Sequence, residues 1–263
     1  MNKNRLVIFC CMGICIGVIA VCECFAGNLK VATLDYPPFQ YKEDGEIKGI
    51  AADIIKEIFK RMNQPIEIKF YPFPRAVKNI RKGVSDVIFT FYYKKEREQF
   101  AEYSKESLVE QTISLFVHKD SAIVFDGNLS GLNQYKFGLV RFSYGKVFDE
   151  AVSNGLITNT DYVSEMGNNM KKFLKRRFDI LPSDRWVALY YYSKIAPKVK
   201  SRFKELKPPV QTFPAYIGFS KANNLTSVRN RADDILRKMK EDGTYQKIIN
   251  SHIDKWGIIL DEK

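Results

Sequence analysis

The sequence predicts an α/β fold in which strands alternate with helices and build two lobes of similar construction. Three observations carry this expectation. Short apolar runs alternate with amphipathic stretches, which implies parallel strands covered on both faces. The series restarts near the middle of the chain, and a late apolar run, Ala215 to Ser220, stands where a strand would return to the first lobe. No repeat of fixed period accompanies the restart.

At the start of the chain, Lys3 and Arg5 precede an uncharged apolar run from Leu6 to Val21, and Cys24-Phe25-Ala26 then offers small residues before a cut after Ala26. This is the pattern of a secretory signal over residues 1–26. Two other readings stay open. One is an uncleaved amino-terminal anchor, although the run falls short of the roughly 20 residues of a bilayer span. The other is a lipoprotein, because Ile19-Ala20-Val21-Cys22 resembles a lipobox with a valine larger than that site prefers. All five cysteines, Cys10, Cys11, Cys15, Cys22 and Cys24, lie in this segment. The exported domain is therefore expected to have no thiol nucleophile, disulfide or cysteine metal site, and to be stabilised by core burial.

From there Leu29 to Thr33 reads as a buried strand opening into the turn-rich "DYPPF". Ile50, Ile54, Ile55, Ile58, Phe59 and Met62 recur at helical spacing. Ile66 to Phe70 is the next strand, a helix begins near Arg75 and ends at Gly83, and Asp86 to Thr90 is the third strand. Thr112 to Val117 follows as a strand. The restarted series comprises Lys136 to Val140, a helix near Gly145, Asp161 to Val163, a helix over Asn168 to Arg176, and Asp179 to Leu181. After Ala215 to Ser220, a helix face of Val228, Ala232, Ile235, Leu236 and Met239 stops at Gly243, a C-cap candidate. Tyr245, Ile248, Ile249 and Trp256 lie on a last helix.

The composition, 45% hydrophobic and 27% charged over 263 residues, is that of a globular protein. The net charge of +12 comes from basic residues scattered through stretches such as Lys171 to Arg177, with acids nearby and no nucleic-acid-binding motif, so nucleic acid is not an expected partner. Ligands of parallel sheets sit beyond the carboxyl ends of the strands, here Asp35-Tyr36, Tyr71 to Arg75 and Thr90 to Tyr92. Ser143, in "RFSYGKVF", raises the question of a nucleophile. A serine needs a base beside it, and the only histidines, His118 and His252, are not placed by sequence to serve it. The flanks also fail the nucleophile-elbow pattern, so Ser143 reads as a hydroxyl that holds a ligand. No zinc pattern or phosphate loop is present, and no cofactor is expected.

The stretches "LDYPPFQYKEDGEIKGIAADIIKEIFKRM", "GVSDVIFTFYYKKEREQFAEYS", "FDILPSD" and "MKEDGTYQKI", in that order, resemble the bacterial extracellular solute-binding proteins of family 3, the amino-acid-binding type of periplasmic receptor for ABC importers. The resemblance spans nearly all of the exported chain. It implies the two-lobed, type II periplasmic-binding-protein fold with two crossover hinge strands, dividing the chain into residues 27–116 and 216–263 for the first lobe and 117–215 for the second. It implies a monomeric periplasmic protein that takes up a small polar solute, an amino acid or related carboxylate, and delivers it to an ABC permease in the inner membrane.

The resemblance also assigns roles. Tyr36 would cover the ligand. Thr90 to Tyr92 would offer hydroxyl and backbone groups to a ligand carboxylate, and Arg97 would pair with it through its fork. This chain departs from the family's Ser-x-Thr-x-x-Arg spacing, with Tyr92-Tyr93-Lys94-Lys95-Glu96-Arg97 and a link one residue shorter, and that puts Arg97 in doubt. Arg75, in "YPFPRA", is the alternative anchor; Pro72 and Pro74 there also fit a simple helix start. In the second lobe, Ser143 and Tyr144 match a segment that meets the carboxylate at a helix start, with Phe142 narrowing the site. Asp184 matches the acid that receives the α-amino group, unless Arg185 neutralises it. Two alternatives from other classes remain. An enzyme of the cyclohexadienyl dehydratase type shares this fold and would need an acid such as Glu165 or Asp184; a receptor could also report to a separate signalling partner. Tyr36, Phe73, Phe91, Tyr92, Phe142, Tyr144 and Trp186 leave an aromatic, basic or non-amino-acid ligand open.

Overall fold

The computed structural model describes residues 27–141, 143–196 and 202–256. The expected signal segment with its five cysteines, and Phe142, lie outside the described residues.

Strand β1 (Leu29–Thr33) leads through the "DYPPF" turn to a short hairpin, β2 (Tyr41–Glu43) and β3 (Glu46–Lys48). The hairpin turns at Asp44 and Gly45, both at positive φ. Helix α1 (Ile50–Arg61) buries Ile54, Ile55, Ile58 and Phe59, the stripe that its 3.6-residue period predicts. Next come β4 (Ile66–Phe70), α2 (Phe73–Arg81), β5 (Val87–Tyr92), β6 (Ala101–Tyr103) and β7 (Val109–His118). Helix α2 starts two residues earlier than the sequence predicts, because Pro74 fits the first helical turn, where its missing N–H has no partner to lose. The restarted series is β8 (Phe137–Val140), α3 (Lys146–Ser153), β9 (Thr160–Val163), α4 (Met166–Leu174), β10 (Ile180–Asp184) and α5 (Arg185–Ile195). Strands β11 (Phe203–Glu205) and β12 (Gln211–Ser220) precede α6 (Thr226–Glu241) and α7 (Thr244–Trp256).

One mixed sheet runs through the molecule in the order β4-β1-β5-β12-β7-β10-β8-β9, with β6 paired to β12 and β11 to β7. The outer pairs β1–β4, β1–β5, β8–β9 and β8–β10 are parallel. The centre is antiparallel, which corrects the expectation of two parallel sheets. Ten-residue β12 pairs with β7 over Gln211–Ala215 and then with β5 over Ala215–Phe219. One long strand thus serves both ends of the sheet and makes it continuous. The β12–β5 register shifts between Tyr216 and Ile217, opposite Thr90, whose φ of 58° marks a bulge.

The core follows this division. One cluster gathers the α1, β1 and β5 side chains with α6 and continues into Tyr190 and Tyr192 of α5. A second surrounds β8, with Leu115, Phe137, Leu139 and Phe148. A third lies under α2, with Ala76, Ile80, Phe91 and Phe100. Helix α5 joins the ends: Trp256 of α7 lies 6.2 Å from the Trp186 ring and 6.0 Å from Tyr190, and Tyr190 lies 5.5 Å from Tyr41 of the hairpin.

Candidate functional site: a cavity at the strand ends

A cavity of about 270 Å³ opens where β1, β8 and β10 end, lined among others by Asp35, Tyr36, Arg141, Tyr144, Ser183, Asp184 and Tyr191. Its place beyond carboxyl strand ends is where such sheets bind ligands.

Asp184 forms its floor. The residue is 3% exposed and caps α5, its Oδ1 accepting N–H groups of Trp186 at 2.9 Å and Val187 at 3.2 Å. Its Oδ2 accepts the Thr112 N–H at 3.0 Å, which ties β10 to β7. Burial raises the carboxyl to about 7, against the three backbone donors and the charge of Arg185. Arg185 does not neutralise it: its guanidinium forks onto Glu205, with Nε 3.0 Å from both oxygens and Nη2 2.7 Å from Oε1. Beside Asp184, Ser183 Oγ is buried with no hydrogen-bond partner among the described residues.

Tyr36 follows β1. Its N–H donates to the Gln40 carbonyl at 2.8 Å and its ring stacks on Phe39 at 5.3 Å. The residue is partly exposed. Burial, then the charge of Asp184, then Tyr92, Tyr144 and Tyr191 push the phenol well above its ordinary range. It is therefore a neutral hydroxyl at neutral pH. The Tyr144 hydroxyl accepts the Val140 N–H at 2.8 Å, which locks the ring under the end of β8.

The other expected site residues are turned elsewhere. Ser143 Oγ donates to Asp149 Oδ2 at 2.5 Å, and Asp149 Oδ1 accepts the Tyr144 N–H at 2.9 Å, so Ser143 braces the loop before α3. Neither histidine serves it: His118 stacks on Phe173 at 4.4 Å, and His252 Nε2 meets Asp53 at 2.9 Å. Thr90 donates to Gln40 Oε1 at 2.7 Å, and the Tyr92 hydroxyl bonds Gln111 Oε1. These pairs leave Gln40 Nε2 and Gln111 Nε2 buried with no partner among the described residues. Arg97 donates from Nη1 to the Tyr92 carbonyl at 2.7 Å and lies over the rings of Phe91 at 4.5 Å and Phe73 at 5.2 Å. Arg75 lies 5.5 Å over Tyr71, in a surface dent of α2 with Lys78 and Lys82. Glu165 is exposed ahead of α4. None of Ser143, Thr90, Arg97, Arg75 and Glu165 lines the cavity.

Sequence reasoning missed Arg141, Ser183 and Tyr191. The first two stand at the carboxyl ends of strands that the sequence does predict, which is the signal that could have found them. Tyr191 lies on α5, a helix without a legible period. Among the described residues no group of acids and histidines could hold a metal ion, and no helix is long and apolar enough to cross a membrane.

Comparison with curated proteins by sequence gives no match. Among solved structures, the chain is similar to the second substrate binding domain of a putative amino acid ABC transporter from Streptococcus pneumoniae, at 18% identity and TM-score 0.67, with 85% of this chain and 98% of that one covered. An ancestral arginine-binding protein bound to glutamine is 25% identical, with TM-score 0.62 over 88% of this chain and 98% of that one. A histidine kinase sensor domain with similarity to periplasmic binding proteins is 14% identical, with TM-score 0.65 over 85% and 95%. These likenesses give the type II periplasmic-binding-protein fold that the continuous mixed sheet describes. The model of the bacterial extracellular solute-binding proteins, family 3, matches residues 29–255, and the chain belongs to that family.

Proposed function

We propose that this solute-binding protein captures an amino acid or a related small carboxylate between two lobes, residues 27–116 with 216–263 and residues 117–215. In this reading it is an exported, monomeric, periplasmic receptor that hands its ligand to an ABC permease, or reports it to a separate signalling protein. Asp184 carries the proposal: it is a buried carboxylate on the floor of a strand-end cavity, suited to an ammonium group whose charge would compensate its desolvation. Tyr36 and Tyr144 wall the same cavity with neutral rings. Ligand binding shifts an open–closed equilibrium in such a device.

The test is a thermal-shift screen against the common L-amino acids, polyamines, small carboxylates and prephenate, with the protein refolded to remove carried ligand. A ligand at about a hundred times its Kd adds roughly 2.7 kcal/mol of stability. A rise in Tm with one amino acid, abolished in Asp184→Ala, supports the reading; no rise with any of them rejects it. The raised carboxyl of Asp184 favours one rival, because a dehydratase needs an acid that holds its proton near neutral pH. Product formed from prephenate would decide for that rival.

A further inference from the structure

The family pattern puts the anion anchor on Arg97, and the structure occupies that arginine with other work. Its guanidinium lies over two rings and bonds a main-chain carbonyl. Reaching the cavity would cost the carbonyl bond and both cation–π contacts. Arg75 is farther from any such role, on the outer face of α2.

A third arginine has the place that both lack. Arg141 follows the last residue of β8 and lines the cavity. Strands β8 and β10 are parallel neighbours paired at Phe137 and Ile180, so Arg141 and Asp184, each four residues further on, leave the same edge of the sheet. The two opposite charges nevertheless do not meet. Asp184 accepts three backbone N–H groups, which leaves one of its roughly four acceptor directions open. Arg141 lies 5.6 Å over the exposed ring of Tyr162, and no carboxylate pairs with it among the described residues. Ser183, next to Asp184 in β10, also lines the cavity; its Oγ is buried, the residue 1% exposed, and has no partner among the described residues.

An acid, an arginine and an unpaired buried hydroxyl on one cavity form a receptor for a molecule carrying both charges. We propose that Arg141 is the residue that binds the ligand's anionic group, with Asp184 taking its ammonium and Ser183 offering a further hydrogen bond. This rests on the amino-acid reading above. Both charged contacts then come from the β8–β10 end of the sheet, and the β1 end contributes the covering ring of Tyr36. A guanidinium suits the task, since its fork meets both carboxylate oxygens and the Tyr162 face leaves its edge free.

The amino acid that raises Tm most is titrated calorimetrically into wild type, Arg141→Gln, Arg141→Lys and Arg97→Lys. Its α-carboxamide is titrated into wild type and Arg141→Gln. The expected result is an affinity loss of about ten- to a hundredfold in Arg141→Gln, in line with a hydrogen bond to a charged group. Arg141→Lys recovers part of it, and Arg97→Lys stays within about threefold of wild type. The carboxamide, which has no anion, binds wild type and Arg141→Gln within about threefold of each other. Unchanged affinity in Arg141→Gln, or an equal loss for acid and carboxamide, overturns the assignment while leaving the amino-acid reading standing. Failure of every amino acid to raise Tm in wild type overturns that reading, and this assignment with it. The ligand-free Tm of Arg141→Gln is expected to match wild type, because the residue is exposed.

Discussion

The two ends of the sheet treat the polar residues at their strand ends in opposite ways. At the β1–β5 end they close on one another: Thr90 on Gln40, Tyr92 on Gln111, and Arg97 on the Tyr92 carbonyl and two rings. At the β8–β10 end Arg141, Ser183 and Asp184 line the cavity, with Asp184 held by backbone N–H groups, Arg141 over the Tyr162 ring and Ser183 Oγ unpartnered among the described residues. The bulge at Thr90 accounts for the first pattern. An extra residue there shifts the alternation of β5, puts Phe91 fully inside the cluster under α2, and gives Arg97 a ring to lie on. Matching a motif therefore locates a residue along the chain without saying which way its side chain turns.

The hardest way to break this arrangement is to remove what holds the two ends together. Trp256, on the last helix, packs against Trp186 and Tyr190 of α5. Trp256→Ala is expected to cost about 3–5 kcal/mol, the usual loss for a large buried aromatic, read as a lower urea midpoint. Asp184→Ala comes next. It removes a helix cap and leaves the Thr112 N–H without its acceptor, for about 2–4 kcal/mol by the same measurement. The floor acid also gives the wild type a pH signature. Its folded carboxyl is raised to about 7 from an unfolded value of 3.8. Below both values the group is protonated in either state and contributes nothing. As pH rises through that window the folded state resists ionisation, so stability falls, and it levels off above. Melts between about pH 4 and 8 should show wild type losing more Tm than Asp184→Asn, which has no proton to lose. Equal slopes would mean that the carboxyl is not raised.

Arg97 sharpens the contrast. If it serves the fold, Arg97→Gln lowers stability by about 1–2 kcal/mol through the lost ring and carbonyl contacts, and leaves ligand affinity within about threefold. The opposite result, with stability kept and affinity lost, would make the two ends alike.

How much of this was legible follows from the physics of each element. Helix α1 and strands β1 and β4 announce themselves, because one apolar stripe or one short apolar run faces a core and the rest faces water. Helix α5, "RWVALYYYSKI", announces nothing. It packs against β7, β10, α4 and α7, so apolar and aromatic residues surround it and no period survives. The hairpin strands β2 and β3 are too short to alternate visibly. At the site, Asp184 could be nominated because "FDILPSD" resembles the family pattern, and Tyr36 because it follows a predicted strand. Arg141 stood in the same relation to Lys136–Val140 and went unassigned, since the family pattern had already supplied an arginine. What sequence could not reveal was that Phe73 and Phe91 claim Arg97. Stacking of this kind depends on a one-residue bulge whose partner lies more than a hundred residues away on β12.

The smallest expected effect concerns the rim of the contact between the ends. Lys194 of α5 reaches Glu43 of the β2–β3 hairpin at 2.8 Å, and Lys48 meets the other oxygen of the same carboxylate at 3.2 Å. Both ends of the Lys194–Glu43 pair are partly exposed, so Lys194→Ala should cost well under 1 kcal/mol, and less as salt is added. The pair is informative because it crosses from one end of the sheet to the other, beside the buried contact of Tyr41 with Tyr190. If the aromatic contacts hold the ends together, Lys194→Ala leaves ligand affinity within about twofold at any ionic strength. A larger loss that salt reproduces in wild type would move control of closure from the aromatic cluster to the charged rim. The difference between the two ends would then lie in how they meet, as well as in which of them holds the ligand's charges.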